Sequence, residues 1–449
     1  MDCTQLTAMA VYIHTLGCAR NLVDSETMAA DVKKSGAEIT SVPAEAEVIV
    51  INTCSFIESA INESVDAILG LAAYKRSGVC RRLIVTGCLP ERFREEIAGA
   101  LPEVDVFLGT GAYDQILQAI NGEFEAGSCI LPPPEARVLP THDAGREPST
   151  YPVAYLRIGD GCNRHCTYCI IPKLRGRLRS REMPDIVAEA KALIAKGYKE
   201  IVLIAQDTSA YGQDLKPKQS LAALLDRLAG ISTDVRIRFL YGSPDHTDDA
   251  LIATVSRYSE ISPYFDLPVQ HVSPGVLKRM GRGYTEKDLL QLIENIRSAI
   301  PAATLRTTIL VGFPGETDAD FERLLKFLEA VRFDHAGGFV YSDAEDLAAH
   351  RLPDHIPASV ARERYDRLMT RQAEISLEKN RSRLGNICSA LVEERIDDNL
   401  YVGRTAFQAP EVDGITYIES PDLRVGDFLN VRLKEAYAYD LKGEIECPI

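Results

Sequence analysis

Cys162, Cys166 and Cys169 stand in the run Gly-Asp-Gly-Cys-Asn-Arg-His-Cys-Thr-Tyr-Cys-Ile-Ile-Pro (159–172). Three thiols at C-x-x-x-C-x-x-C spacing in one loop leave the fourth corner of a cubane without a protein ligand. Electron-transfer clusters usually take four cysteine thiolates, so a three-thiolate [4Fe–4S] site exposes one iron to a ligand that can receive an electron. A zinc knuckle is the main rival. Structural zinc takes four ligands, commonly as paired C-x-x-C units, and His165, beside Cys166, is poorly spaced to be the fourth. The motif points to chemistry at iron.

A second set of three thiols is spread along the chain. Cys18, Cys54 and Cys88 follow Leu-Gly, Ile-Asn-Thr and Val-Thr-Gly, each directly past the C-terminal end of a predicted parallel strand. In a parallel sheet those ends share one edge, where open α/β folds collect ligands. Thiols over 30 residues apart are therefore expected to converge on one metal or cluster site, again one ligand short. A single such cysteine would read as core packing; three at equivalent positions do not. Cys3, Cys80, Cys129, Cys388 and Cys447 have no comparable placement and read as structural or incidental.

The elements that must position these thiols form an α/β chain in three parts. Apolar, β-branched runs at Val11–Leu16, Val48–Asn52, Leu83–Thr86 and Val106–Leu108 alternate with amphipathic segments such as Asp24–Ser35 and Glu58–Tyr74. That rhythm predicts a parallel-sheet α/β domain over 9–125. A segment rich in Pro, Gly and charge, 126–147, reads as a linker. Six further strands, Ala154–Ile158, Glu200–Ala205, Val235–Tyr241, Tyr264–Gln270, Thr304–Gly312 and Gly337–Tyr341, predict a partial (β/α)6 barrel of the TIM type over 148–380. Its helices include Pro184–Lys196 and Thr317–Val331, where Thr317 and Asp320 fit a capping box. The cysteine loop follows the first strand, at the edge where such barrels place active sites. After a polar helix from Ser359 to about Arg383, short alternating segments between Ile387 and Glu446 predict a small antiparallel β-barrel, OB-like, over 382–449.

The 449 residues carry a formal charge of −15 and eleven cysteines. Such a balance argues against a large contribution from nucleic-acid phosphates and suits a basic partner. Residues 382–449 hold seven Lys/Arg and thirteen Asp/Glu. Scattered cysteines in a long chain favour reduced thiols over a disulfide framework. No apolar run reaches about 18 residues and no secretory signal is visible, so no membrane role and a cytoplasmic address are expected.

With an aromatic, Tyr168, before its last cysteine, the first motif resembles the radical S-adenosylmethionine (SAM) superfamily. The three-domain order resembles the methylthiotransferase family over almost the whole chain: an N-terminal cluster domain, a radical SAM partial barrel and a C-terminal TRAM barrel. Leu-Gly-Cys-Ala-Arg-Asn-Leu-Val-Asp-Ser-Glu (16–26), Ala-Gln-Asp-Thr-Ser-Ala-Tyr-Gly (205–212) and Ala-Pro-Glu-Val-Asp-Gly (409–414) are similar to its RimO branch. The MiaB branch, which modifies an adenosine beside the tRNA anticodon, typically carries Gln-Asn where this chain has Gln206-Asp207.

The resemblance implies two [4Fe–4S] clusters, one on Cys162, Cys166 and Cys169 and one on Cys18, Cys54 and Cys88, facing each other. It implies SAM as methyl donor and radical source, with the β-carbon of an aspartate in ribosomal protein twelve of the small subunit as target. It also implies an electron donor such as flavodoxin or ferredoxin. SAM contacts fall on Tyr168, near adenine, and on Gln206, Gln270 and Gly312 at strand ends; many superfamily members carry Gly-Gly-Glu where Gln206-Asp207 stands. The basic run Lys173, Arg175, Arg177, Arg179 and Arg181 could pair with a carboxylate of SAM or substrate, or with surface acids. His271 could line the cavity or be satisfied by backbone. Two other readings stay open: a MiaB-type tRNA enzyme, and a non-catalytic iron–sulfur carrier.

Overall fold

The computed structural model describes residues 9–142 and 145–446; Cys3 and Cys447 lie outside them. The chain divides into two compact units. The first runs to Ser149 and takes in Gly159–Arg164 and Cys169–Arg181; the second comprises Thr150–Ile158, His165–Tyr168 and the chain from Glu182 onward. The expected boundary at 148 is thus crossed by the cysteine loop, whose residues are shared between the units. The barrel and the tail, expected as separate domains, fall in one unit.

In the first unit, β1 (Ala10–Thr15), β2 (Glu38–Ile39), β3 (Val48–Thr53), β4 (Arg82–Gly87), β5 (Val106–Leu108) and β6 (Ser128–Ile130) form a parallel sheet in the order β2-β1-β3-β4-β5-β6. Alternation explains how it is buried on both faces. Val48, Val50, Ile84, Val106 and Leu108 pack with Met28, Val32 and Ile116 on one side. Ile49, Ile51, Leu83, Val85 and Phe107 pack with Ile68, Leu89 and Ile97 on the other. Two edge strands, β2 and β6, escaped the sequence reading because two or three residues carry no period. Ser128–Ile130 pairs with β5, so that part of the expected linker belongs to the sheet.

In the second unit, β7 (Val153–Arg157) is followed by β8 (Gly159–Asp160) and β9 (Arg179–Ser180), which pair with each other within the first unit. β10 (Glu200–Ile204), β11 (Arg236–Phe239), β12 (Tyr264–Asp266), β13 (Thr304–Val311) and β14 (His335–Val340) complete the six barrel strands. They pair in parallel as β7-β10-β11 and β12-β13-β14, with one parallel bridge, Ile237 to Ile261, between the halves. Helices cover them with apolar stripes such as Leu224, Leu225 and Leu228, or Phe321, Leu324 and Leu328. The helix Asp318–Val331 starts with the expected capping box of Thr317 and Asp320. The helix Ala358–Ser382 lies on β14, where a Cβ at Gly338 would come within 2.7 Å of Met369.

The tail is a closed barrel of β15 (Ile387–Asp397), β16 (Leu400–Thr405), β17 (Thr416–Glu419), β18 (Phe428–Ala436) and β19 (Leu441–Ile445), in the order β15-β16-β17-β19-β18. One correction applies to the antiparallel expectation: β17 and β19 run parallel. An odd number of strands cannot alternate direction all the way round a closed ring. The loop between β16 and β17 inserts at the barrel strands, where the Tyr264 hydroxyl donates to Asp413 (2.6 Å) and His335 Nε2 lies 2.8 Å from the Phe407 carbonyl. Arg404 joins Glu200 of β10 to Glu393 of β15.

Candidate functional site

Cys18, Cys54 and Cys88 stand at the C-terminal ends of β1, β3 and β4, which are adjacent and in register: Thr15 opposes Asn52 and Thr53 opposes Gly87. The strand order reverses between β1 and β3, the switch point where open α/β sheets leave a crevice. Cys18 caps the helix Ala19–Lys34, and Cys88 begins the helix Cys88–Phe93. Glycine is required on both approaches. At Gly17 (φ +90°) a Cβ would meet the Cys54 Cβ at 2.7 Å, and at Gly87 (φ +100°) it would meet Asn52 Oδ1 at 2.5 Å.

The charge of Cys18 is felt at Cys54, and the charges of both are felt at Cys88. Burial, the largest influence on each, pushes Cys88 up to about 12, with the Cys54 and Cys18 charges adding to the rise and Arg175 opposing it. Burial likewise raises Cys54, against the backbone N–H of Phe56 and with Cys18 adding to the rise. Cys18 moves the other way: burial works to raise it, but Arg20, Arg175 and the N–H groups of Asn21 and Arg20 together hold it below the ordinary thiol value. Each thiolate of a cubane binds a different iron, and among the described residues no group of three or more His, Cys, Asp or Glu closes on a single ion. Soft donors, mutual coupling and a buried guanidinium beside them fit a thiolate-bound iron–sulfur core.

The other cysteines have other surroundings. Cys80 is buried in the first unit, its Sγ 3.4 Å from the Arg82 carbonyl; Cys129 lies on the edge strand β6, and Cys388 packs in the tail barrel.

The second trio is held by its loop on each side. In the first unit the backbone before Cys162 presses against the segment 176–180. Cys162 N–H donates to the Gly176 carbonyl (3.0 Å), and a Cβ at Gly161 (φ +77°) would fall 2.0 Å from the Arg177 oxygen. The Arg164 N–H points at the Cys162 sulfur (3.4 Å), a backbone contact that suits a thiolate. Within the second unit Thr167, next to Cys166, donates to the carbonyls of Met280 and Arg279 and accepts from the Ala349 N–H.

Of the residues expected to contact SAM, Tyr168 is half-buried: its ring meets Phe313 edge-on at 6.3 Å, and its hydroxyl accepts from Arg282 (2.7 Å). Gln206 follows the C-terminal end of β10, and Gln270, in the left-handed region (φ +62°), bridges to Ile309 of β13. Gly312 is buried, gives its N–H to Glu316 and lies under Ala361, where a Cβ would clash at 2.4 Å. Its glycine identity is thus accounted for by packing. His271 is buried and accepts the Ser273 N–H on Nδ1 (3.0 Å), while its Nε2 is buried without a hydrogen-bond partner among the described residues, so backbone satisfies only one of its two ring nitrogens. Burial drives its pKa down to about 4.

Two arrangements carry no signal in any single motif. Asp207 Oδ2 sits 3.1 Å from His246 Nδ1, joining the ends that follow β10 and β11; Pro-Asp-His after a strand gives no signal of that pairing. Arg175 is 2% exposed and bonds Asp24, Asn21 and Cys88 within the first unit, so it is neither a surface ion-pair residue nor free for a carboxylate ligand.

Residues 156–328 match the family model of the Radical SAM superfamily, 10–109 that of the Uncharacterized protein family UPF0004, and 384–445 that of the TRAM domain. The chain is 52% identical over 440 residues (98% of the chain, 100% of the relative) to the ribosomal protein uS12 methylthiotransferase RimO of Desulfosudis oleivorans. It is 45% identical to the protein of the same name from Clostridioides difficile, covering 97% of the chain and 99% of the relative. Among solved structures, the radical S-adenosylmethionine methyltransferase TsrM from Kitasatospora setae superposes with a TM-score of 0.58 at 12% identity, over 82% of this chain and 89% of that one. That likeness is one of fold.

Proposed function

The chain belongs to the RimO family of radical SAM methylthiotransferases, and on that premise we propose that it adds a methylthio group to the β-carbon of an aspartate of ribosomal protein uS12. The observation that carries the reading is the presence of two separate thiol trios, each one ligand short of a closed [4Fe–4S] site. Cys162, Cys166 and Cys169 would hold one cluster and Cys18, Cys54 and Cys88 the other. When bound, an open-iron cluster supplies the electron that cleaves SAM to a 5′-deoxyadenosyl radical, and a second supplies the sulfur to be methylated and transferred.

The chain's own residues bind and orient. Tyr168, Gln206, Gln270 and Gly312 are assigned to SAM, and the strand ends hold the target carbon close while excluding water, which a radical would otherwise attack. The tail supports a basic protein as partner: its described residues expose nine carboxylates, among them Glu394, Asp397, Asp398 and Glu419, against three exposed Lys/Arg. An acidic surface steers a Lys/Arg-rich ribosomal protein and repels tRNA phosphate. No described helix is long and apolar enough to cross a membrane; a ribosomal substrate supports a reaction in the cytoplasm, where flavodoxin or ferredoxin would serve as electron donor.

The test offers reconstituted enzyme a uS12 peptide and an anticodon-arm RNA side by side and measures the methylthio mass increase. The peptide alone should gain it. Modification of the RNA alone would reverse the choice of substrate, and absence of 5′-deoxyadenosine with both clusters present would favour the carrier reading.

A further inference from the structure

Arg175 lies six residues after Cys169, yet its guanidinium reaches the neighbourhood of all three cysteines of the other trio. Nη2 stands 3.8 Å from the Cys88 sulfur and donates to Asn21 Oδ1 (2.6 Å), while Nη1 donates to Asp24 Oδ2 (2.7 Å). Asn21 and Asp24 are on the helix that Cys18 caps. Asn21 in turn donates to the carbonyls of Leu16 and Thr53, the latter adjoining Cys54. On its other side Nη1 lies 3.8 Å from Asp160 Oδ2, two residues before Cys162. All of these groups belong to the first unit.

A buried guanidinium must be paired, and Asp24 is shared, its Oδ1 accepting from the equally buried Arg137 (2.9 Å), so Asp160 completes the neutralisation of Arg175. The approach of Nη2 to the Cys88 sulfur is what charge pairing alone does not require. We propose that Arg175 is a positioning residue that ties the Cys18, Cys54 and Cys88 site to the strand leading to Cys162 and sets the charge felt at that site. The inference rests on the two-cluster reading above. A planar fork bonded at both nitrogens has little rotational freedom, so it fixes Cys88 against the helix of Cys18 and against the strand leading to Cys162. Its positive charge beside a ligand sulfur stabilises the reduced, more negative state of a thiolate-bound cluster, because local charge and hydrogen bonds to sulfur set such potentials.

Full-length reconstituted protein, wild type and the Arg175→Gln, Arg175→Lys and Asp24→Asn variants, is titrated with reductant while the two cluster signals are followed by electron paramagnetic resonance, with iron counted in parallel. Arg175→Gln should move the midpoint of the Cys18-trio cluster to more negative potential, by more than it moves the other cluster. Arg175→Lys should recover most of that shift. Asp24→Asn, which leaves the cation less neutralised, should move it the opposite way, and this keeps the test alive where the glutamine variant fails to bind iron. An unchanged midpoint in Arg175→Gln with both clusters present, a lysine variant equal to the glutamine one, or an Asp24→Asn shift of the same sign overturns the proposal. Wild-type protein with about four irons instead of about eight removes the two-cluster reading, and this inference with it.

Discussion

Cys162, Cys166 and Cys169 are kept together by eight residues of chain, whereas Cys18, Cys54 and Cys88 are brought to one sheet edge by strands over 30 residues apart. The first set is local: covalent spacing bounds how far its thiols can separate. The second exists only while β1, β3 and β4 are paired in register and while Gly17, Gly87, Asn21 and Arg175 hold the loops beyond them. A local site should lose function when its own ligands are changed. A topological site should also lose it when the packing around it is disturbed.

The largest expected effect is at the local trio. Alanine at Cys162, Cys166 and Cys169 should remove about half of the iron and all 5′-deoxyadenosine formation, read by iron analysis and chromatography after reduction with SAM. Alanine at Cys18, Cys54 and Cys88 sharpens the contrast: methylthio product should vanish while 5′-deoxyadenosine still forms. Equal loss of 5′-deoxyadenosine from both triple variants would erase the distinction between the two sites.

Packing separates them next. Gly17→Ala places a methyl 2.7 Å from the Cys54 Cβ at a φ of +90°, a strain of about 1–3 kcal/mol. It should lower iron at the Cys18 trio and leave the other cluster's signal in place, as spectroscopy on the reconstituted variant would record. Full iron at both sites would mean that the topological trio tolerates displacement of its loops.

How much of this was legible follows from the same difference. The spacing of Cys162, Cys166 and Cys169 announces a site without any fold. The other trio needed one extra step, recognition that each cysteine ends a buried β-branched run, and the pattern Val48-Ile-Val-Ile-Asn-Thr-Cys54 makes that step possible because every strand residue from Val48 to Thr53 is buried. Arg175 was visible only as one of five alternating basic residues. Nothing in Leu-Arg-Gly-Arg-Leu-Arg distinguishes the buried arginine from exposed Arg177, since burial is decided by Asp24, 151 residues away. The parallel pairing of β17 with β19 was equally hidden, because alternation within strands says nothing about their order round a barrel.

Smaller effects test the second unit and the tail. Lysine at Glu394, Asp397 and Asp398 together should weaken binding of uS12 several-fold at low salt, an effect that added salt should reduce; titration of labelled uS12 at two ionic strengths would detect it. His271 gives the smallest signal at neutral pH. Its folded pKa of about 4 lies below the unfolded 6.5, so the unfolded chain takes the proton first as pH falls. Stability present above pH 6.5 should decline towards pH 4, and His271→Asn, which keeps an acceptor for the Ser273 N–H, should flatten that part of a denaturant-melt profile.

The claim that two separate thiol sites, each one ligand short of a closed cubane, share this chain is tested most directly by counting iron in three proteins: wild type and the two triple alanine variants. About eight irons per chain in the first and about four in each of the others is the predicted result. About four in the wild type, with no loss on replacing Cys18, Cys54 and Cys88, would contradict it.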